Sequence, residues 1–320
     1  MKIPLSLSIY EHAAALISKT PGEVSHDGDL MVQAHERAYN LYRHFPVMVG
    51  IDIYNIESEA YGCTIQEPGG TGIPAIIQPL FSSLDDAMQI EPFDPAQDGR
   101  IPVVLQAGRD LIDKCPDADV RIPVAGPFPI AQNLLGLNQL MLEVATNESA
   151  VRDFLFKLIE GQVLFSRVVI DAGLKVAFFE SAAAPPLLSP AHFRAIELPP
   201  LKSAIQAVGK VAGHSVPCII GGDTSPVIPE MLETGTQFLI CPSETDRTIF
   251  LKKMEPHPEV TIRVNMDPGL YTYGTRKEIY AEVDEIVKLA GGRKNILLGT
   301  GAIPYETPPE NLLSLKQYVS

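Results

Sequence analysis

Along residues 261–267 (TIRVNMD) apolar and polar side chains alternate. Ile262, Val264 and Met266 fall on one side; Thr261, Arg263, Asn265 and Asp267 fall on the other. A period of two marks a strand with two unlike faces. Similar short runs recur between residues 216 and 317, each followed by a stretch of helical spacing. VPCIIGGD ends at Asp223, TQFLICPSE passes through Cys241, TIRVNMDPG carries Asn265 and Asp267, and NILLGTG ends on a glycine pair. Upstream, PVMVGIDIYN (46–55), RIPVAGPF and VAFFES (176–181) read as strands, and residues 100–113, 149–172 and SPAHFRAIELPPLKSAIQAV as helices. Ser189 with Pro190 and Thr275 supply helix starts, and Gly235 and the glycine pair after Ala290 supply stops.

Regular alternation of strand and helix predicts a parallel sheet. The length and strand count favour closure, giving an α/β fold of the TIM (β/α)8 type. Seven strands are legible, and the eighth is expected within 63–120. Residues 1–45 read as a helical extension, with Leu30, Ala34, Ala38 and Leu41 sharing a face. The expectation is one domain over 1–320, the extension being 1–45 and the barrel 46–320. The Gly- and Pro-rich segment GCTIQEPGGTGIPAIIQPLFSS is expected to cover one end of it.

In a closed parallel barrel the strand C-termini gather at one mouth, where active sites sit. The polar side of TIRVNMD would face the lumen, burying Arg263. A buried guanidinium calls for a carboxylate, with Glu180, Asp223 and Asp267 as candidates. In TQFLICPS the same alternation places Gln237, Leu239, Cys241 and Ser243 on one face, so Cys241 is expected in the lumen. Cys218, flanked by apolar residues, reads as core, and Asp267 before Pro268 also suits a turn cap.

Composition narrows the class. The 320 residues are 46% hydrophobic, enough for a large core, and the net charge of −14 argues against nucleic-acid or anionic-membrane partners. Four scattered cysteines without a CxxC pair suit a reducing compartment. No run of 18 apolar residues occurs, and the N-terminus carries Glu11 where a secretory signal would be apolar. A cytoplasmic enzyme is the expectation.

Six stretches carry a family resemblance: GIDIYNIESEAYG (50–62), VAGPFPIAQNLLG (124–136), FFESAAAPPLLSPAHFRAIELP (178–199), GGDTSPVIPEMLETG (221–235), NMDPG (265–269) and LLGTGAIPYETPPENLLSL (297–315). In this order the chain resembles the uroporphyrinogen decarboxylase superfamily, on its branch of cobalamin-dependent methyltransferases. The Arg-rich N-terminal stretch with which the decarboxylase holds its tetrapyrrole has no counterpart. Methyltransferases of this branch that serve coenzyme M hold zinc through a His-x-Cys and a later Cys. This chain has Gly221 and Gly222 at the first place and Ala302 at the second. His214 precedes its strand and would lie at the opposite end of the barrel. The resemblance therefore implies the other kind of member. That kind moves a methyl group from a donor such as a methoxylated aromatic to a cobalt(I) corrinoid carried by a partner protein. A methylcobamide:thiol methyltransferase, a decarboxylase and a non-catalytic corrinoid carrier are the alternatives. The chain has no DxHxxG carrier motif.

Demethylating an aryl ether is an in-line displacement whose leaving phenolate, of pKa about 10, gains from a proton or a Lewis acid. Glu180, Asp223, Asn265 and Arg263 are the expected catalytic residues. Asp52, Tyr54, Asn55, Glu57 and Asp267 are expected to bind substrate. Glu180, Asp223 and Cys241, at successive strand ends, could hold a zinc ion. Gly299 and Gly301 would let the backbone approach a large flat cofactor.

Overall fold

A computed structural model describes residues 3–320. Eight parallel strands form the barrel: β1 (Leu5–Ser8), β2 (Val47–Met48), β3 (Val120–Ala125), β4 (Lys175–Phe179), β5 (Cys218–Ile219), β6 (Phe238–Cys241), β7 (Thr261–Met266) and β8 (Ile296–Ala302). Backbone ladders join them in two arcs, β1-β8-β7-β6 and β2-β3-β4-β5. Hydroxyl side chains bridge the two seams between the arcs. Ser6 Oγ donates to Phe45 O at 3.0 Å beside β2, and Thr236 Oγ1 accepts from Cys218 N at 3.2 Å between β5 and β6. These bonds satisfy backbone groups that the short strands leave unladdered.

The eighth strand is at the N-terminus, not within 63–120. LSLSIY alternates as clearly as TIRVNMD does, with Leu7 and Ile9 packed in the main core and Ser8 and Tyr10 lining the lumen. The helical extension is present in Glu11–Ala15, Pro21–Ser25 and Gly28–Tyr42, but it follows a strand that completes the barrel. PVMVGIDIYN, expected as a strand throughout, keeps ladder geometry only at Val47–Met48; Gly50 turns the chain at φ 124° and a helix starts at Ile56. Only glycine adopts that φ without strain.

Helix boundaries follow the side-chain chemistry. Thr275 and Glu278 form a reciprocal capping box at Arg276–Ala290, and Gly291 closes that helix in the left-handed region. The Gly- and Pro-rich segment folds back on itself, with Gln66 and Ala75 exchanging both backbone bonds at 2.9 and 3.0 Å. Asn55 Nδ2 holds it to the mouth through Pro74 O at 2.7 Å, and Ile73 enters the cavity wall.

Among the described residues the apolar interior has three parts, the smallest being Tyr39, Val47 and Cys115 beside the start of β2. A large cluster lies between strands and helices; a small one (Tyr10, Met48, Ile53, Ala177 and Phe179) fills the barrel itself. Among the described residues no helix is long and apolar enough to cross a membrane.

Candidate active site

A cavity of about 390 Å³ opens at the C-terminal mouth. Its polar wall is Ser8, Tyr10, Glu11, Asp52, Tyr54, Ser181, Ser243, Glu244, Arg263 and Asn265; Ile53, Ile73, Phe179, Ile219 and Ile240 supply much of the apolar wall. A smaller cavity of about 70 Å³ lies deeper in the barrel and shares Ser8, Tyr10, Ile219 and Arg263 with the upper one. Arg263 thus stands where the two meet.

Strand parity decides which side chains reach this space. On β7, Arg263 and Asn265 face inward, as the alternation predicted. On β6 the phase is the reverse of the expected one. Phe238 and Ile240 line the lumen, while Leu239 and Cys241 pack in the outer core. Cys241 is therefore no lumen residue, and burial pushes its thiol up to about 12. A one-residue error in phase flips every side chain to the other face.

Glu180 is turned outward as well. It follows Ala177 and Phe179, which line the lumen, and lies behind β4 with no exposed surface. Its Oε1 accepts from Phe128 N at 2.9 Å, and its other oxygen occupies the space that a side chain at Gly126 would need. The neighbouring carboxyl is Glu197, at the end of a π-helical turn over Phe193–Glu197. Burial holds both carboxyls well up, Glu197 to about 8, so the pair keeps a proton at neutral pH. Asp223 caps its own turn, accepting from Ser225 N at 3.2 Å and Ser225 Oγ at 2.9 Å. Glu180, Asp223 and Cys241 accordingly do not converge. Among the described residues no group of three or more His, Cys, Asp or Glu is placed to hold a metal ion. Of Glu180, Asp223, Cys241 and Asn265, expected to share one hollow, only Asn265 lines the cavity.

Among the described residues Arg263 has no carboxylate partner. It is 5% exposed, its Nε has no hydrogen-bond partner among the described residues, and the titratable groups that act on it are the phenols of Tyr10, Tyr271 and Tyr54, which burial keeps neutral. The Phe238 ring lies 5.9 Å from the guanidinium carbon. Asn265 Oδ1 is also buried without a partner. Gly299, opposite Asn265 in the β7–β8 register, leaves the room that the Arg263 stem and the Asn265 amide fill. The glycine serves these side chains before any cofactor; Gly301, at the mouth, has open space where a Cβ would project.

The GIDIYN turn divides its residues. Asp52 lines the cavity but is bound from behind by Arg100 and by Asn55 Nδ2 at 3.0 Å. Tyr54 Oη meets Ser181 Oγ at 2.5 Å, and burial pushes the phenol up to about 12. Asn55 is used by Asp52 and Pro74. Glu57 lies outside the cavity wall, accepting from Ala125 N at 2.7 Å, with burial raising it to about 8. Asp267 caps the helix Pro268–Tyr273, accepting from Gly269 N at 2.8 Å, as its turn-cap reading had it.

The helical reading of residues 1–45 passed over two of the most suggestive wall residues. Tyr10 and Glu11 enter the site directly from β1, and the alternation of LSLSIY was the signal that pointed there. Glu11 is pushed up to about 7 by burial, with the Glu306 carboxylate adding to the shift.

Comparison with known proteins adds the lineage. A family model described as uroporphyrinogen decarboxylase (URO-D) matches residues 2–320. The chain is 27% identical over 300 residues to uroporphyrinogen decarboxylase 2, chloroplastic, of Arabidopsis thaliana, covering 90% of this chain and 73% of that one. It is 33% identical over 149 residues to uroporphyrinogen decarboxylase of Synechococcus sp. (strain CC9605), covering 46% of this chain. That match spans only 41% of the cyanobacterial protein. Among solved structures, a methyltransferase from Methanosarcina mazei superposes with a TM-score of 0.86 at 20% identity, over 99% of this chain and 93% of that one. At that identity the likeness establishes the fold.

Proposed function

The chain belongs to the uroporphyrinogen decarboxylase (URO-D) family, and from that premise we propose that it is a corrinoid-dependent methyltransferase. It takes a methyl group from a methoxylated aromatic and gives it to a cobalt(I) corrinoid presented by a partner protein. The observation that carries this reading is the character of the mouth cavity. About 390 Å³, walled by Ile53, Phe179, Ile219 and Ile240, suits a one-ring substrate near the small end of ligand sites. Among the described residues Arg263 is the one Arg, Lys or His in that wall, which also carries Glu11, Asp52 and Glu244. A tetrapyrrole bearing many carboxylates would meet repulsion there. The names of the curated relatives favour a decarboxylase as the second reading; consumption of uroporphyrinogen by the purified protein would establish it.

Thiol activation by zinc is not supported by the residues present. The places that the resemblance assigns to zinc ligands hold Gly221 and Ala302, which line the cavity without a donor side chain.

In the proposed reaction the partner's corrinoid would supply the electron pair that takes up the methyl carbon, and the carbon–oxygen bond would break with its electrons left on the aryl oxygen. A carboxylic acid near neutrality can protonate that oxygen. Glu11 lines the cavity and is held at about 7, close to the working pH, where general acids are most effective. Tyr54, held at about 12 and bonded to Ser181, orients substrate more readily than it yields a proton. The vacant space at Gly301 supports close approach of a flat macrocycle to the rim.

The test is incubation with reduced cobalamin and a methoxybenzoate, following the methylcobalamin absorbance. No methylcobalamin from any methyl donor would reject the reading. Glu11→Gln should slow transfer by about 10²–10⁴-fold, the usual worth of a positioned acid, and less for ethers with acidic phenols.

A further inference from the structure

Arg263 is the best-buried cation in the barrel interior, and nothing in the described protein neutralises it. The other arginines with buried or half-buried contacts have partners. Arg100 holds Asp52 and Glu59, Arg121 holds Asp119, Arg247 holds Glu282, and Arg293 donates to Met254 O at 2.7 Å. An uncompensated charge in the interior is costly unless something charged comes to meet it. Arg263 forms the floor of the mouth cavity, and Gly299 has been pared back to let its stem lie there. The walls above it are mixed: Ile53, Phe179, Ile219 and Ile240 offer an apolar slot for a ring, and the carboxylates of Glu11, Asp52 and Glu244 leave Arg263 as the one group there that attracts an anion.

We infer that Arg263 is a carboxylate-binding floor, and that the substrate is an aryl carboxylate seated acid-end down with its ether oxygen toward the mouth. A planar guanidinium matches a carboxylate with two parallel hydrogen bonds. Asn265, two residues further along the same strand and so about 6–7 Å nearer the mouth, flanks the ring with an amide that has an unpartnered buried oxygen. Depth then fixes regiochemistry, and this part rests on the methyl-transfer reading. With the acid anchored at the floor, a methoxy group para or meta to it reaches toward the rim, where Glu11 and Gly301 lie and a carrier protein can approach. An ortho methoxy group stays beside Arg263, out of reach of the cobalt.

Binding and turnover separate the two claims. Sodium benzoate and 4-methoxybenzoate should each raise the melting temperature of the full chain, and neutral 4-methylanisole should not. Arg263→Met should weaken benzoate binding about 100-fold, the usual scale for removing one member of a desolvated charge pair, and Arg263→Lys should weaken it less. Turnover with reduced cobalamin should favour 4- and 3-methoxybenzoate over the 2-isomer by at least about tenfold, one factor of ten per 1.4 kcal/mol of misplacement. Benzoate binding that needs Arg263, without methyl transfer from any ether, would keep the carboxylate floor and remove the methyltransferase reading. Equal turnover of neutral and anionic ethers, or unchanged benzoate affinity in Arg263→Met and Arg263→Lys, would overturn the carboxylate floor and leave that reading standing. Preferred turnover of the 2-isomer would overturn the seating.

Discussion

Arg100 and Arg263 are almost equally buried, at 4% and 5% exposed, and they stand in opposite situations. Arg100 lies behind the site. It bonds Asp52, reaches Glu59 at 3.0 Å and donates to Ser25 O at 3.3 Å, so it ties the GIDIYN turn to the helix Pro21–Ser25. Arg263 lies in the site and bonds no carboxylate. One guanidinium is spent on the wall; the other is left free toward the cavity. Proteins leave such groups uncompensated where a ligand completes them, at a cost in stability. The Glu180–Glu197 pair is a third solution to charge burial. No cation is supplied, and the carboxyls are held up so that they keep a proton.

Breaking the paired arginine should have the largest effect. Arg100→Met strands Asp52 in the interior and should lower unfolding stability by about 3–5 kcal/mol, read from urea midpoints at constant m-value. An undiminished midpoint would show that the pair does not hold the turn.

Glu11 sharpens the comparison through pH. Its carboxyl is raised from an ordinary 4.5 to about 7, so between those values the folded protein holds a proton that the unfolded chain has lost. Stability attributable to Glu11 is therefore intact below pH 4.5 and falls as pH rises towards 7, by about 3 kcal/mol once both states are ionised. Glu11→Gln should flatten that part of the stability profile. Glu57, raised to about 8, contributes a fall of the same sign that continues to higher pH and should survive the Glu11 change.

Gly126→Ala tests the uncharged solution. The added methyl would collide with the Glu180 carboxyl, and destabilisation of about 1–3 kcal/mol is expected, as for other overpacked positions. A melting temperature equal to that of the parent would mean that Glu180 can swing aside.

Arg263→Met should have the smallest effect on stability. Removing an unpartnered buried charge should leave the urea midpoint unchanged or raise stability by about 1–2 kcal/mol, even as anion binding is lost. A loss comparable to that of Arg100→Met would mean that Arg263 is structural.

The strand–helix rhythm of residues 216–317 was legible because parallel-barrel strands are bounded by caps and glycines that act locally. Thr275, Ser189 with Pro190, and Gly291 bound their helices as the sequence analysis expects, and the structure adds Glu278 to the Thr275 cap. β7 was legible to the single side chain, because its alternation extends over Thr261–Met266 with the polar residues in one phase. β6 was not. Gln237, Leu239, Cys241 and Ser243 include both kinds of residue, as do Phe238 and Ile240 with their neighbours, so apolar character was available to either face. β1 was missed for another reason: four residues followed directly by a helix were outweighed by the helical spacing that comes after them.

The sequence by itself determined the alternation of elements, their caps, the inward phase of Arg263 and Asn265, and the membership of the family. Tertiary structure decided the rest. It closed the barrel with β1, turned Cys241 and Glu180 away from the lumen, set Asp223 to capping its own turn, and brought Glu11 and Tyr10 to the mouth. The physical reason is the range of the forces. Capping and periodicity act within a few residues, whereas the face a strand presents and the partner a charge finds are fixed only when distant segments pack together.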